Sequence, residues 1–409
     1  MSHPAARLPG ARPVVFVGGV RTPFGRARPD GLYAATRADD LAVKAVRELL
    51  RRYPELPPER IDDVALAATS QTGDQGLTLG RSVGVLAGLP RSVPGFAVDR
   101  MCAGAMTAVT ATAAAIGFGA QDVTIAGGVE HMGHHPMGSA ADPNPRFVAE
   151  RLVDPEALAM GATAENLHDR YPTLTRARAD AFGVASQARY AAALAAGRIE
   201  PDLVPVAVRD PLRGWGLATA DEPPRPGTTL AGVADLPTPF RPGGRVTSAT
   251  SAPLTDGAAV CLLAGADVAD ELGLPTAMRL VSFAYAGVDP EIMGIGPVPS
   301  THKALAKAGL TIDDIGLFEL NEAFAVQVLA FLDAFGLPDD DPRVNPYGGA
   351  IAVGHPLAAS GVRLMIQLAR QFAEHPEVRY GLTAMCVGLG QGGTVIWENP
   401  HHVDAGSTR

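Results

Sequence analysis

The hexapeptide Ile61-Asp62-Asp63-Val64-Ala65-Leu66 recurs in the second half of the chain as Ile312-Asp313-Asp314-Ile315-Gly316-Leu317. Each copy places a polar turn before an apolar run that is typical of a buried strand. The parts that follow the two copies also agree in order: the helices 102–117 and 358–374, the strands 122–126 and 381–385, and the glycines at 127–128 and at 388 and 390. The repeat therefore predicts two related halves.

Strands and helices alternate along the rest of the chain. Apolar runs of strand length occur at 14–17, 64–67, 123–126, 315–318 and 394–397. Alanine-rich segments of helical length lie between them at 40–53, 103–117 and 358–374. This alternation predicts an α/β fold in which helices are layered on sheets.

Composition excludes several classes of protein. A chain of 409 residues with 47% hydrophobic and 19% charged residues predicts a well-buried globule with more than one core. The net charge of −9, without a basic run, argues against a nucleic-acid partner. Three cysteines at wide spacings, Cys102, Cys261 and Cys386, argue against a disulfide scaffold, so we expect a reducing, cytoplasmic location.

Residues 127–246 differ in composition from the rest of the chain. Prolines and arginines are frequent there, and one amphipathic helix is predicted over 176–196. A long irregular insertion in a compact protein is typical of a lid or a ligand-binding loop. No apolar stretch reaches the roughly 18 residues that a membrane span requires, so we expect a soluble protein without a membrane partner.

Cys102 is the first candidate for chemistry, in Asp99-Arg100-Met101-Cys102-Ala103-Gly104. A cysteine at a strand-to-helix turn faces the unpaired N–H groups of the helix, which favours the thiolate and suits a nucleophile. Taken alone, a cysteine among apolar neighbours is more often a small buried core residue.

His355 and Cys386 also lie on glycine-rich turns. Gly354 and Pro356 frame His355, as expected for a rigidly presented general base, although a structural or exposed histidine fits the same pattern. Cys386 precedes glycines that allow close backbone approach to an oxyanion or phosphate. The run lacks the Lys-Ser/Thr of a P-loop and the acidic residue of a dinucleotide fingerprint.

Two polar motifs complete the candidates. Asn321 and Glu322 follow the strand 315–318, where α/β sheets place ligands, but Asn321 also suits a helix N-cap. The run Glu130-His131-Met132-Gly133-His134-His135 contains metal-ligating side chains. It lacks a second ligand group at helical spacing, so we predict no metal.

Taken together, these segments resemble the thiolase family. The likeness extends from Arg21-Thr22-Pro23-Phe24-Gly25 to Trp397-Glu398, and its most specific parts surround Cys102, Asn321, His355 and Cys386. It implies a five-layered αβαβα fold made of two βαβαβ halves, with an inserted loop domain that binds coenzyme A (CoA). The boundaries expected on that basis are 1–126 plus 247–274 for the first half, 127–246 for the loop domain and 275–409 for the second half.

The resemblance also implies a reaction. Cys102 would attack the keto carbon of a 3-ketoacyl-CoA while His355 takes the thiol proton, and Cys386 would protonate the departing acetyl-CoA carbanion. CoA would then release the acyl group, as in fatty-acid β-oxidation, with CoA as substrate and product and no bound cofactor. Homodimers or homotetramers are usual in the family.

Further roles follow from the same likeness. The backbone N–H groups of Cys102 and Gly388 would bind one oxyanion, and His355 with a water on Asn321 would bind the other. Residues expected to contact the substrate or CoA are Arg225, Ser251, Phe324 and Met160.

Three departures from the family bear on the substrate. Ala252 replaces a serine common at the CoA contact, His131 replaces a common serine, and Ala159 replaces a histidine of short-chain biosynthetic members. The Pro-Leu-Thr-Asp-Gly variant at 253–257 and the missing histidine at 159 favour degradative thiolysis over the condensation of two acetyl-CoA molecules, which stays an alternative. A non-catalytic acyl-CoA-binding protein is the alternative from another class.

Overall fold

The computed structural model describes residues 12–139, 141–210 and 214–403. The outermost ends of the two expected halves, 1–11 and 404–409, lie outside the described residues. The strands are β1 Val14–Arg21, β2 Gly25–Arg26, β3 Asp63–Ala67, β4 Gly95–Val98, β5 Val123–His131, β6 Val206–Asp210, β7 Gly214–Ala218, β8 Thr255–Gly265, β9 Met278–Gly287, β10 Ile315–Leu320, β11 Tyr380–Val387 and β12 Gln391–Glu398.

Four of the helices, at 38–52, 104–118, 176–195 and 360–374, agree closely with those that the sequence predicts. The helices are α1 Ala38–Arg52, α2 Leu79–Ala87, α3 Gly104–Phe118, α4 Arg146–Ala149, α5 Met160–Arg170, α6 Arg176–Ala195, α7 Leu230–Val233, α8 Ala266–Leu272, α9 Pro297–Ala308, α10 Ala325–Phe335, α11 Ala350–Val353 and α12 Ser360–Glu374.

The sheet confirms the two related halves. Its order is β4-β3-β5-β8-β1-β9-β12-β11-β10. In the first half β3 and β5 are parallel while β5–β8 and β8–β1 are antiparallel, and the second half repeats this pattern in β10-β11-β12-β9. Within the described sheet, strand pairing passes from one half to the other at Val15↔Arg279 and Phe16↔Met278, so the sheet is a duplicated unit with a short junction.

Three apolar clusters define the layers. One packs α1, α2 and α8 against the outer face of the first half, and another packs α9 and α10 against the outer face of the second. Between the halves, α3 and α12 fill a central cluster in which Phe16 meets Trp397 edge to face. The expected five-layered α/β arrangement is therefore confirmed.

Helix α3 is apolar because it belongs to this central layer. Among the described residues, the stretch Met101–Phe118 is long and apolar enough to cross a membrane by length and composition. The sequence-based expectation of no such stretch was wrong on that count. A helix buried between two sheets needs the same composition, which accounts for its apolar faces.

The irregular segment begins later than the sequence predicts. Gly127 and Gly128 lie inside β5, which continues to His131. A Cβ at Gly127 would lie 2.3 Å from the Ala259 carbonyl oxygen, and one at Gly128 would lie 2.2 Å from that of Ala358. These glycines therefore permit close packing and do not end the strand.

Candidate active site

Cys102 lies in a 3-10 turn, Met101–Ala103, between β4 and α3. Met101 has a left-handed φ of +44°, and its N–H donates to Asp99 Oδ1 at 2.6 Å. Such a conformation is strained for a non-glycine residue and is typical of functional turns. The turn presents the thiol at the start of the central helix.

The proton on Cys102 is held more tightly than the sequence predicts. Burial raises the pKa of this thiol to about 12, and the carboxylates of Glu130 and Asp99 add to the rise. The backbone N–H groups of Gly388 and Cys102 point at the sulfur and oppose it. The expected preference for thiolate was wrong for the resting site, because desolvation outweighs the N–H groups.

Cys386 shares this site with Cys102. It is buried in β11, opposite Gly392 of β12, and burial raises the pKa of its thiol. Charge on Cys102 raises that pKa further, so the two sulfurs lie within electrostatic reach of each other. The fold thus brings together two cysteines that are far apart in sequence.

Gly388, two residues after Cys386, packs against the turn that carries Cys102. A Cβ at Gly388 would lie 2.6 Å from Met101 Sδ and 3.5 Å from Met160 Sδ. A side chain there would displace one of these methionines. The same glycine places its N–H against Cys102, and Met160 lies at the edge of the same space.

His355 is buried in the segment between α11 and α12 rather than exposed. Its Nε2 lies 3.2 Å from Asn321 Nδ2 and its Nδ1 lies 2.6 Å from Ser360 Oγ. Burial, and then the charge of Arg363, lower the pKa of His355 to about 3. With Asn321 donating to Nε2, the neutral imidazole carries its proton on Nδ1 and donates it to Ser360.

Asn321 is not a helix cap. Helix α10 begins at Ala325 with Phe324 at its N-cap, and the Asn321 N–H instead donates to the Ala384 carbonyl of β11 at 2.9 Å. Its side-chain Oδ1 is buried and has no hydrogen-bond partner among the described residues. An unsatisfied amide oxygen beside His355 suits a bound water.

Two buried glutamates hold the loops around these groups. Glu322 accepts from Ser186 Oγ at 2.6 Å, Asn345 Nδ2 at 2.7 Å and the Ile351 N–H at 3.1 Å. Glu130 accepts from the N–H of Ala358 at 3.2 Å. The first anchors the segment before His355 and the second anchors the segment after it.

The turn that carries Cys102 packs against both other parts of the site. It contacts β11, which carries Cys386, and the 3-10 turn Leu357–Ala359, which follows His355. These contacts, the hydrogen bond between Asn321 and His355 and the two-thiol interaction place Cys102, Cys386, His355 and Asn321 around one region at the centre of the molecule. A proton acceptor, two thiols and directed N–H groups can carry out acyl transfer there.

A cavity of about 420 Å³ lies beside this region. Arg225 and Ser251 line it, together with Arg26, Phe240 and Pro253. It does not include the two thiols, but the Pro253 carbonyl accepts from the His355 N–H at 3.2 Å. One lining residue of the cavity is therefore bound to the His355 backbone, and the cavity suits the non-reacting part of a long ligand.

Phe324 connects the cavity to the site. Its ring meets Phe240 edge to face at 6.2 Å, and Ser251 pairs with it in an isolated β-bridge. The Ser251 hydroxyl donates to the Thr247 carbonyl at 2.8 Å, so it is already engaged within its own loop.

The histidines that follow Glu130 are hydrogen-bonded to other groups of the protein. His131 Nε2 lies 3.0 Å from the Tyr33 carbonyl, and both His134 and His135 contact Asp74. Among the described residues, no group of three or more His, Cys, Asp or Glu side chains is arranged to hold a metal ion.

Sequence reasoning missed Ser360 and the positioning roles of Glu130 and Glu322. A serine at a helix start carries no chemical signature by itself. The glutamates offered one signal, since each is a charged residue within a small or apolar run that is predicted to be buried.

Comparison with known proteins gives two family matches. The model of the thiolase N-terminal domain matches residues 14–267, and that of the thiolase C-terminal domain matches residues 274–399.

Individual proteins match over nearly the whole chain. The 3-ketoacyl-CoA thiolase of Psychrobacter cryohalolentis is 42% identical over 386 residues, covering 94% of this chain and 97% of its own. That of Yersinia enterocolitica is 43% identical over 387 residues, covering 94% and 99%.

Two solved structures share the architecture. Human mitochondrial 3-ketoacyl-CoA thiolase and the acetyl-CoA acetyltransferase of Bacillus anthracis each match with a TM-score of 0.85 and 32% identity. Each match covers 95% of this chain and 99% of the other.

Proposed function

The chain belongs to the thiolase family and is an acyltransferase, and we propose that it cleaves 3-ketoacyl-CoA to acyl-CoA and acetyl-CoA with Cys102 as the acyl carrier. The observation that carries this proposal is the convergence at Cys102. A second thiol lies within electrostatic reach, and two backbone N–H groups point at the same sulfur.

The first half-reaction forms an acyl-enzyme. His355 takes the proton from Cys102, and the thiolate attacks the keto carbon of the substrate. The bond between that carbon and its α-carbon breaks, and the electron pair moves into the acetyl-CoA enolate. Cys386 protonates the α-carbon, which releases acetyl-CoA and leaves the acyl group on Cys102.

The second half-reaction regenerates the enzyme. The protonated His355 first gives its proton to the Cys386 thiolate. His355 then takes the proton of an incoming CoA thiol, whose sulfur attacks the acyl-cysteine carbonyl. Collapse of the tetrahedral intermediate releases acyl-CoA and expels the Cys102 thiolate, which takes that proton back from His355. The N–H groups of Cys102 and Gly388 stabilise the tetrahedral oxyanion. His355 and a water on Asn321 Oδ1 stabilise the enolate oxygen in the first half-reaction.

The irregular segment between β5 and β8 supplies the CoA site in this proposal. Arg225, from that segment, and Ser251 line the cavity, whose lining also includes Pro253, the residue bound to the His355 backbone. The guanidinium groups of Arg225 and Arg26 suit the phosphates of the nucleotide end. The pantetheine arm would then run past Phe324 toward Cys102.

We propose a homodimer formed through the free edge of β4. Val344 pairs with Phe318 at the β10 end of the sheet, whereas β4 ends the other side of the sheet in the described chain. Helix α2 packs against β4, and Leu86 within this helix and Leu77 just before it are 49% and 89% exposed. Light scattering tests this proposal: wild type should be a dimer, and Leu86→Arg should shift it toward the monomer. A monomeric wild type contradicts the proposal.

The experiment that tests the activity follows loss of the enolate absorbance in mixtures of CoA with acetoacetyl-CoA or longer 3-ketoacyl-CoAs. Cleavage of at least one chain length is expected, and none at any length overturns the proposal. Faster formation of acetoacetyl-CoA than cleavage of every longer substrate supports the condensing direction. Acetyl on Cys102, found by mass spectrometry and absent in Cys102→Ser, excludes a merely binding role.

A further inference from the structure

Helix α11 ends just before His355, and its last turn is not continued. Gly354 follows the helix with a φ of +98°, a backbone conformation that favours glycine. In a helix that continued, the His355 N–H would donate to the Ile351 carbonyl. Here the His355 N–H donates to the Pro253 carbonyl at 3.2 Å instead, so the Ile351 carbonyl needs another donor.

Gln187 of helix α6 supplies that donor. Its Nε2 donates to the Ile351 carbonyl at 3.2 Å. The preceding residue, Ser186, accepts from the N–H of Gly349, the N-cap of α11, at 3.2 Å. Two consecutive residues of α6 therefore hold α11, and through it the start of the turn that carries His355.

The oxygen of the same amide holds the loop that carries Arg225. Gln187 Oε1 accepts from the Arg225 backbone N–H at 2.8 Å. Pro223 and Pro224 come directly before Arg225 and have no N–H to donate. The Arg225 N–H is therefore the first backbone donor after Glu222, and its bond to Gln187 fixes the loop at the wall of the cavity.

Gln187 is almost fully buried between these two segments. Its exposed fraction is 9%, and it lines the cavity together with Ile351 and Arg225. A Cβ at Gly348 would lie 2.7 Å from the Ser186 carbonyl oxygen, so α6 and the chain before α11 are in backbone contact. A buried amide costs free energy unless it is hydrogen-bonded, and here its nitrogen and its oxygen are bonded to different segments.

We propose that Gln187 is a positioning residue that fixes the CoA-binding loop and the His355 turn relative to each other. Through Oε1 it places the loop of Arg225, on which the affinity for the nucleotide end of CoA depends. Through Nε2 it places α11, on which the position of His355 relative to the reacting atoms depends. This inference rests on the roles of Arg225 and His355 in the proposed function.

The kinetic test compares CoA with pantetheine as the attacking thiol. Gln187→Met keeps the length of the side chain and removes both hydrogen bonds. With either thiol kcat should fall by about fivefold or more, because the Ile351 carbonyl loses its donor and His355 is displaced. The KM should rise by about threefold or more for CoA and stay unchanged for pantetheine, which lacks the nucleotide. A change in kcat alone, in the KM for CoA alone, or in neither overturns the proposal.

Amide hydrogen exchange, read by mass spectrometry, tests the same point without an activity assay. Gln187→Met should accelerate exchange in the segments 225–229 and 350–355 together, because each loses a contact that holds it closed. Exchange in β12 should not change. Acceleration in only one of the two segments, or equal acceleration in β12, overturns the proposal.

Gln121→Met is the matched control. Gln121 Nε2 donates to Asp63 Oδ2 at 3.1 Å, at the end of β5 that lies away from Glu130. This variant carries the same substitution and should leave kcat, both KM values and exchange in both segments unchanged. Effects equal to those of Gln187→Met overturn the proposal, because they would follow from the loss of any glutamine.

If circular dichroism shows that Gln187→Met does not fold, exchange in Gln187→Glu at alkaline pH decides. The ionised carboxylate keeps an acceptor for the Arg225 N–H and has no donor for the Ile351 carbonyl. Faster exchange at 350–355 alone supports the inference, and any other result overturns it. Wild type that cleaves no 3-ketoacyl-CoA overturns the proposed function, whereas the exchange measurements still decide whether Gln187 holds both segments.

Discussion

Ser360 Oγ lies 2.6 Å from His355 Nδ1, and both side chains are buried. The first residue of α12 therefore fixes the ring of the proposed base, and it does so from the helix that fills the centre of the molecule. A buried imidazole N–H without this acceptor would lose a hydrogen bond that water cannot replace.

Ser360→Ala should lower kcat for thiolysis by about tenfold to a hundredfold with little change in KM. The stranded N–H costs on the order of 1–3 kcal/mol, and the ring loses its orientation. Steady-state kinetics with acetoacetyl-CoA measure this. Ser282→Ala, which removes a hydroxyl bound to the Ala304 carbonyl far from the site, is the control. A wild-type kcat in Ser360→Ala would contradict the role of Ser360 in orienting His355.

Asn321→Ala should have a larger effect. The side-chain amide contacts His355, and its free oxygen is the proposed binding site of the water that stabilises the enolate. The variant therefore loses the contact and the water site together. Removal of one oxyanion donor lowers kcat by about 10²- to 10³-fold in other enzymes. A kcat within about threefold of wild type would show that the enolate is stabilised elsewhere.

Cys386→Ala should separate the two halves of the reaction. Exchange of an acyl group between acyl-CoA and labelled CoA needs only Cys102 and should survive, whereas carbon–carbon cleavage should disappear. Cys261→Ala is the matched control, because Cys261 is buried in β8 and takes no part in the proposed reaction. Loss of exchange in Cys386→Ala would mean that the division of labour between the two thiols is wrong.

Arg225→Ala should raise the KM for CoA by about fivefold without changing kcat, since an exposed ion pair contributes at most about 1 kcal/mol. Pantetheine lacks the nucleotide, so its KM should not change. Arg28→Ala serves as the control, because Arg28 contacts Glu222 and does not line the cavity. Equal effects on CoA and pantetheine would place Arg225 away from the nucleotide.

The layered fold could be predicted from sequence because it is a duplication. The matching turns before β3 and β10 imply matching strands, and the strand pattern around them is repeated. The end of β5 could not be predicted, because Gly127 and Gly128 look like a turn. Only contact with Ala259 and Ala358 shows that they are buried strand residues.

The site was predictable to the extent that its residues stand on glycine-framed turns. Cys102 and His355 lie on such turns, whereas Cys386, which the sequence also places on one, lies inside β11. The protonation of Cys102 does not follow from its place at a helix start. Its pKa depends on burial between two halves of the chain, which no local pattern records. Ser360 and Glu130 act through contacts made only in the folded molecule.

His134 links separate loops through hydrogen bonds whose strength depends on pH. Its Nδ1 lies 3.0 Å from Asp74 Oδ2 and its Nε2 lies 3.1 Å from the Ala34 carbonyl, so both ring nitrogens face acceptors. Although burial opposes the charge, this carbonyl and carboxylate raise the pKa of His134. Asp74 in turn has its pKa held below the usual range despite burial, by the Ala38 N–H and the two histidines.

His134→Gln should therefore lower stability more at about pH 6 than at about pH 9. A raised folded pKa gives stability that is complete below the unfolded value and is lost as pH rises through the folded one, while Asp74 is charged at both pH values. Urea midpoints of wild type and variant at the two pH values measure the difference. His302→Gln, at an exposed histidine packed on Phe335 rather than on a carboxylate, is the control. A His134→Gln effect of equal size at both pH values would show that the ring stabilises the loops by packing and not by its charge.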